Sequence, residues 1–358
     1  MEQFDLIYNL IYSALCIIIL IAASSTDFKG TQFSYSTGKR TILIFLTIYL
    51  LLFGLRDIEV GTDTKSYVLM WDIHKGFTLD KEFFTSALIS ILKYFGFGYG
   101  VFLFSYTLFL VIPLYFSIIY ISKRFDVNPL FILFVFTSLF FFKSIGINII
   151  RQGVSLALIL VFICQFNFNK WYALSLKTII IGALAFIIHN TAVISLLAIF
   201  VVSVLKNLNF RYYILIYFLS IVLSRLEFGI HQILPNIKDF DERRVESYVE
   251  NLGDIFVVGF KPQFVVFNTV FLFIFLFIRK KIGKIPQYEF IFKYYLLISV
   301  LFFFSFQMSY SDRWGIMSWI VIPFLIAPIY SKLINIRTIK TSMSFFFIIV
   351  YIFFSFYS

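Results

Sequence analysis

Residues 172–205 read YALSLKTIIIGALAFIIHNTAVISLLAIFVVSVL, an almost unbroken apolar run of 34 residues. As one α-helix it would be about 51 Å long at 1.5 Å per residue. The hydrocarbon of a bilayer is about 30 Å thick, and a spanning helix needs about 17–25 apolar residues. The run overshoots, so it predicts two short helices, 172–188 and 190–205, broken at His189-Asn190-Thr191. The neighbouring run 129–165 must break as well, and Lys143-Ser144-Ile145-Gly146 is the place its sequence offers.

Composition carries the same message. Of 358 residues 61% are apolar, 22% aromatic and 14% charged, against about 45–50% apolar and ~25% charged in soluble domains. A soluble enzyme, a disordered chain and a secreted disulfide scaffold are excluded, and an all-α polytopic membrane protein remains. Cys16 and Cys164 lie in apolar runs with no metal-like spacing and read as packing residues. The 51 Phe are apolar filler, and some of the 22 Tyr belong to the interfacial belt.

Twelve crossings are expected, at 4–23, 41–55, 101–122, 129–142, 147–165, 172–188, 190–205, 212–224, 262–278, 290–305, 314–330 and 341–357. A weaker stretch, 83–95, holds Lys93, precedes Gly96, Gly98 and Gly100, and reads as an interfacial or re-entrant helix. Glu2 and Asp5, without a base, argue that the first segment is retained rather than cleaved as a signal peptide. Loops 24–40, 123–128, 166–171, 206–211, 279–289 and 331–340 hold fifteen bases against three acids, Asp27, Asp126 and Glu289. Lys/Arg excess marks the cytoplasm, so both termini are expected outside. The net charge of +11 then reflects topology, not nucleic-acid binding. The chain reads as a single transmembrane domain, 1–358, with two larger periplasmic loops, 56–100 and 225–261. Lys177 and Lys293 lie near inner helix ends, where they can snorkel.

Ionisable groups at membrane depth are costly and mark function. The outer side offers five patches. Gly54-Leu55-Arg56-Asp57-Ile58-Glu59-Val60-Gly61-Thr62-Asp63-Thr64-Lys65-Ser66-Tyr67 follows the second span; Gly61 permits a tight turn, and Thr62, Asp63 and Thr64 are N-cap types. It is either a capped turn or a site in which Arg56 holds an anion and Asp63 orients or deprotonates a hydroxyl. Asn148-Ile149-Ile150-Arg151-Gln152-Gly153 opens a helix, and Asn148, Arg151, Gln152 and Ser155 share a face that meets a cavity or another helix. His189 is either a turn cap or a general base active near neutral pH. Asp312 and Arg313 mark a further outer turn, and Arg243, Arg244 and Tyr248 a mixed-charge stretch of the second large loop. Walker, HExxH and CxxC motifs are absent. Three arginines, Arg56, Arg151 and Arg313, suit a phosphate because each guanidinium makes a planar fork. Carboxylates, a histidine and many tyrosines suit a sugar. A lipid-linked saccharide satisfies both.

Arg56 with Gly61-Thr62-Asp63-Thr64 and Tyr67, then Asn148-Ile149-Ile150-Arg151-Gln152, then His189-Asn190-Thr191-Ala192, resemble the EpsG/Wzy family of bacterial O-antigen and capsule polysaccharide polymerases. The resemblance implies glycosyl transfer between undecaprenyl-diphosphate-linked glycans at the periplasmic face of the inner (cytoplasmic) membrane. It also implies a fold like the GT-C membrane glycosyltransferases, no cofactor or metal, and a partner that sets chain length. Under that reading Arg56, Arg151 and Arg313 bind the diphosphate. His189, preferred narrowly over Asp63, takes the acceptor proton. Asp57, Tyr67, Asn148, Gln152, Asp312, Arg243, Arg244 and Tyr248 line the sugar site. The rivals are an O-antigen ligase, which differs only in its acceptor, and a flippase of the lipid-linked unit.

Overall fold

The computed structural model describes residues 2–24, 35–77, 83–168, 170, 172–233, 258–308, 310–334 and 336–357. Arg243, Arg244 and Tyr248 lie outside them, as does most of the 225–261 loop. The described chain is helical throughout, without a strand. In order it forms α1 (Glu2–Ser24), α2 (Tyr35–Gly54), α3 (Thr64–Ile73), α4 (Phe83–Tyr94), α5 (Tyr99–Phe125), α6 (Pro129–Ser138), α7 (Phe141–Ile147), α8 (Ile150–Gln165) and α9 (Leu176–Ile188). There follow α10 (Ala192–Val204), α11 (Phe210–Arg225), α12 (Ile230–Ile233), α13 (Pro262–Ile282), α14 (Pro286–Phe304), α15 (Asp312–Trp319), α16 (Ile322–Ile326) and α17 (Arg337–Tyr357).

Among the described residues six stretches are long and apolar enough to cross a bilayer: Glu2–Ser24, Tyr99–Phe125, Pro262–Ile282, Pro286–Gln307, Asp312–Tyr330 and Arg337–Ser355. A seventh is reached if α6 and α7, bent by 84°, count as one. The protein is thus a polytopic membrane protein, but the expected twelve crossings are not supported. For α9 and α10 the cause is helix length. α9 and α10 have 13 residues each, and so extend only about 20 Å at 1.5 Å per residue. Ser175 trims the start of α9 by capping it, its Oγ accepting from the Thr178 N–H at 3.2 Å.

The two runs that had to break do so differently. α9 and α10 part at His189-Asn190-Thr191, the expected place. The 129–165 run does not break at Lys143–Gly146, which sits inside α7. It bends at Leu139–Phe140 and again at Asn148–Ile149. The hydroxyls of Thr137 and Ser138 donate back to Phe134 O at 3.0 and 2.7 Å, a bond that bends helices, and Leu139 is extended. Gly153 then lets α8 close on α7, since a Cβ there would lie 2.6 Å from Ile145 O.

The sequence reads as one domain; the helices pack as two compact units, Met1–Leu196 with Ile326–Ser358, and Leu197–Leu325. In the first, α6 is buried along all ten residues and packs against α1, α2, α5 and α17. α1 turns Phe4, Tyr8, Tyr12, Leu15 and Ile19 inward, a stripe at helical spacing, and leaves Leu6, Ile7, Leu10, Ile17 and Ile21 exposed. In the second, α14 packs against α11, α13 and α15. There Asn268 receives the Trp319 Nε1–H at 2.6 Å and donates to Ser299 Oγ at 3.0 Å.

Charge sorts to the ends of each unit. In the first, Lys332 pairs with Asp126 at 2.9 Å, and Gly38 abuts Asn128. At the opposite end Lys143 pairs with Asp5 at 2.6 Å, and the Thr62 N–H donates to Asn148 Oδ1. In the second, Arg279 pairs with Glu289 at 2.5 Å. Lys293 does not snorkel: it is 7% exposed and donates to the carbonyls of Lys206 and Leu208 at 2.7 and 3.1 Å, closing the α10–α11 turn.

Candidate active site

The turn leaving α2 and the turn entering α8 are 90 residues apart in sequence and meet in space. Arg56 joins them. Its guanidinium is buried, 6% exposed, and donates from NH1 to Phe53 O at 2.7 Å, from NH2 to Ile147 O at 3.3 Å and from Nε to Thr64 Oγ1 at 3.0 Å. Phe53 and Ile147 end α2 and α7, so one cation caps two helix C-termini, where the helix dipole favours positive charge. Burial pulls the Arg56 pKa down to about 10, which still leaves it a cation at neutral pH. Thr64, fully buried, donates its own hydroxyl hydrogen bond to Val60 O at 2.6 Å.

Gly61 makes the tight turn that its sequence position suggests. Its φ is +86°, and a Cβ there would meet Asn148 Oδ1 at 2.5 Å. That amide oxygen accepts the Thr62 N–H at 2.9 Å, and the Tyr67 hydroxyl donates to Asn148 O at 2.9 Å. Asp63 is the N-cap residue of α3 by position but makes no side-chain cap bond; its carboxylate accepts the Thr62 hydroxyl at 3.1 Å. Asp57 is exposed and closes a small turn on Glu59 N.

Arg151 lies in the first turn of α8, half-buried, with its guanidinium carbon 6.0 Å from the centre of the Tyr67 ring. Gln152 and Ser155 are buried, and the Ser155 hydroxyl donates to Ala185 O on α9 at 2.9 Å. The polar face of α8 therefore meets a helix there. α8 and α9 run antiparallel through that bond, so Arg151, one turn before Ser155, and His189, one turn after Ala185, lie at the same end of the pair. His189 Nδ1 is 2.7 Å from Thr191 Oγ1 and accepts the Thr191 N–H at 3.4 Å. A backbone N–H can only donate, so Nδ1 accepts in that contact.

Asp312 and Arg313 belong to the other unit. Asp312 opens α15, and the Arg313 guanidinium lies 4.6 Å from the Tyr310 ring centre. Among the described residues no three His, Cys, Asp or Glu side chains cluster as metal ligands would.

Two concavities adjoin the meeting of the turns. A cavity of about 330 Å³ is lined by Gly61, Thr62, Ser144 and Asn148, by Asp5, Tyr8 and Asn9 of α1, by Thr137, Ser138, Phe140 and Lys143, and by Tyr351, Phe354 and Ser355 of α17. A more open groove of about 600 Å³ runs between α1 and α2 over Ile7, Ile11, Ile48, Leu51 and Leu55 and ends at Arg56 and Asp57. Sequence reasoning passed over Asp5, Lys143 and Tyr351 as site residues. The only available signal was a charge or hydroxyl in an apolar run, and no spacing rule links residues 138 positions apart.

A family model of the EpsG family matches residues 39–358, which includes both turns, α8 and the His189 break. The chain belongs to the EpsG family. Membership points to a role in making polysaccharide, and the residues that meet around Asn148 are those whose pattern resembles the EpsG/Wzy polymerases. No curated protein and no solved structure matches the chain.

Proposed function

We propose that the protein is a membrane-embedded glycosyltransferase that polymerises lipid-linked oligosaccharide repeat units, transferring a growing glycan from undecaprenyl diphosphate at the periplasmic face of the inner membrane. The observation that carries this reading is the meeting of the 53–67 turn with the 147–151 turn beside a cavity that Asp5, Asn9, Thr62 and Lys143 help to line and a groove lined by Ile7, Ile11, Ile48 and Leu51, in a chain of the EpsG family. Such a substrate has an apolar tail, an anionic head and a hydroxylated sugar; the groove suits the tail, Arg151 the head, and the cavity with its Asp5, Asn9, Thr62 and Lys143 lining the sugar. A GT-C-like fold belongs to the same proposal, as does a partner that controls chain length.

Arg151 is the phosphate-holding residue in this scheme. Its fork stabilises charge developing on the departing diphosphate. Arg56 acts one step back, fixing the turn that carries Asp63. Asp63 takes the proton of the attacking sugar hydroxyl, because it stands on the turn that Arg56 and Asn148 hold in place, whereas His189 stands at the α9–α10 break.

Deletion of the gene, followed by electrophoresis of the surface glycan, tests the reaction. Loss of the polymer ladder with one repeat unit retained is expected. Loss of all repeat units would assign ligation or flipping instead.

A further inference from the structure

The cavity bounded by α1, the α6–α7 bend and α17 takes Gly61, Thr62 and Asn148 from the two turn motifs, and the rest of its lining, Asp5, Lys143 and Tyr351 among it, from outside them. At about 330 Å³ it falls at the small end of the ~300–1,000 Å³ range of small-molecule sites. Its wall alternates rings with hydrogen-bonding groups. Tyr351 stacks on Tyr12 at 3.6 Å between ring centres, and its hydroxyl donates to Asn9 Oδ1, so the ring is held rigid. The Asp5–Lys143 pair lines the same cavity, bonded at 2.6 Å and part-exposed, with side chains 35% and 27% accessible. Lys143 bonds one carboxylate oxygen, and both side chains line the cavity.

We propose that this cavity binds a neutral saccharide ring, the Asp5–Lys143 pair gripping adjacent hydroxyls while Tyr351 and Phe354 cover a CH face. A carboxylate beside an ammonium is matched to a vicinal diol, which both accepts and donates. Rings take up the apolar face that a pyranose shows on one side. The pair is already neutral, so an acidic sugar would bring a second anion to Asp5 without a second cation to meet it. Neutral hexoses are selected and uronic acids are not. The choice of a sugar among polyols rests on the polymerase reading; the site itself rests on the lining.

The test uses the full chain in nanodiscs of deuterated lipid and saturation-transfer NMR. The probes are methyl α-D-glucopyranoside, methyl α-D-galactopyranoside and sodium glucuronate. Transfer to at least one neutral glycoside is expected, with little to glucuronate. Asp5→Asn combined with Lys143→Gln keeps the size of the pair and removes its charge. It should weaken binding about tenfold or more through loss of charge-assisted hydrogen bonds. Ser144→Phe should abolish binding by filling the cavity while the protein stays monodisperse; if it does not stay so, the double variant decides. No transfer to either neutral glycoside, equal transfer to glucuronate, or wild-type binding by the double variant would overturn the proposal. The outcome separates from that of the gene deletion. A shortened surface glycan without sugar binding here keeps the polymerase and removes this site. Sugar binding with an intact glycan ladder keeps the site and removes the polymerase.

Discussion

Arg56 and Arg151 carry the same charge and serve the same pair of turns, yet their surroundings assign them different work. Arg56 is bonded to Phe53 O, Ile147 O and Thr64 Oγ1. Arg56→Ala leaves these groups buried without their donor, at about 1–3 kcal/mol for each unsatisfied group. It is expected to lower the melting temperature of the purified protein and the amount found in membranes. Arg56→Lys should rescue little, because an ammonium cannot reach three acceptors in a plane. Arg151 is half-buried against Tyr67. Arg151→Lys should keep protein level and melting temperature while polymer formation falls about 10²–10³-fold, the usual effect of losing one charge-stabilising donor. Equal damage to stability from both substitutions would count against this division. The same scale decides the base. Asp63→Asn keeps an oxygen for the Thr62 hydroxyl and loses the charge, so turnover should fall about 10²–10⁴-fold. His189→Asn keeps an acceptor at the α9–α10 break and should remain active. The reverse pattern would return the base role to His189.

At the scale of elements, the turn 57–63 depends on one backbone conformation. Gly61 has φ +86° with Asn148 Oδ1 against it. Gly61→Ala is expected to destabilise by about 1–3 kcal/mol from the backbone alone, and more from the contact. Gly100→Ala, at a position with open space around it, should be silent in the same thermal assay. Gly61 and the His189 break were legible from sequence because each rests on local rules, turn geometry and bilayer thickness. The α6–α7 bend was misplaced because two determinants competed. Lys143 looked like the polar interruption, but the Thr137 and Ser138 hydroxyls bend the chain earlier, and Lys143 has a partner in Asp5 that lets it stay in a helix. Twelve crossings are not supported because an apolar run in the sequence does not fix helix length: α9 and α10 have 13 residues each. The site was half legible. Its turn motifs carry charge and N-cap residues in sequence, whereas the cavity is closed by α1 and α17, the two ends of the chain.

At the scale of the molecule, the two ends of the first unit carry opposite predictions about sidedness. Lys332 and Asp126 pair at one end; Glu59 and Lys65 pair near the other at 2.6 Å, both more than 60% exposed. Lys/Arg-rich loops face the cytoplasm, so the Lys332 end should be inside and the Glu59 end outside. That orientation makes both the proposed polymerase site and the sugar cavity extracytoplasmic, because Thr62, Asn148, Asp5 and Lys143 lie at the Glu59 end. A membrane-impermeant maleimide with access to the outer face of the membrane that holds the protein tests it in unlysed cells. The native thiols leave a clean background, since Cys16 and Cys164 are both buried and free. Glu59→Cys should label without lysis, and Lys332→Cys only after lysis. The two positions sit on solvated pairs worth little to stability, so neither change should disturb the fold. If Lys332→Cys labels in intact cells and Glu59→Cys does not, the unit is inverted. The site then faces the cytoplasm, where a lipid-linked glycan already flipped outward cannot reach it, and the polymerase reading fails whatever the fate of its arginines.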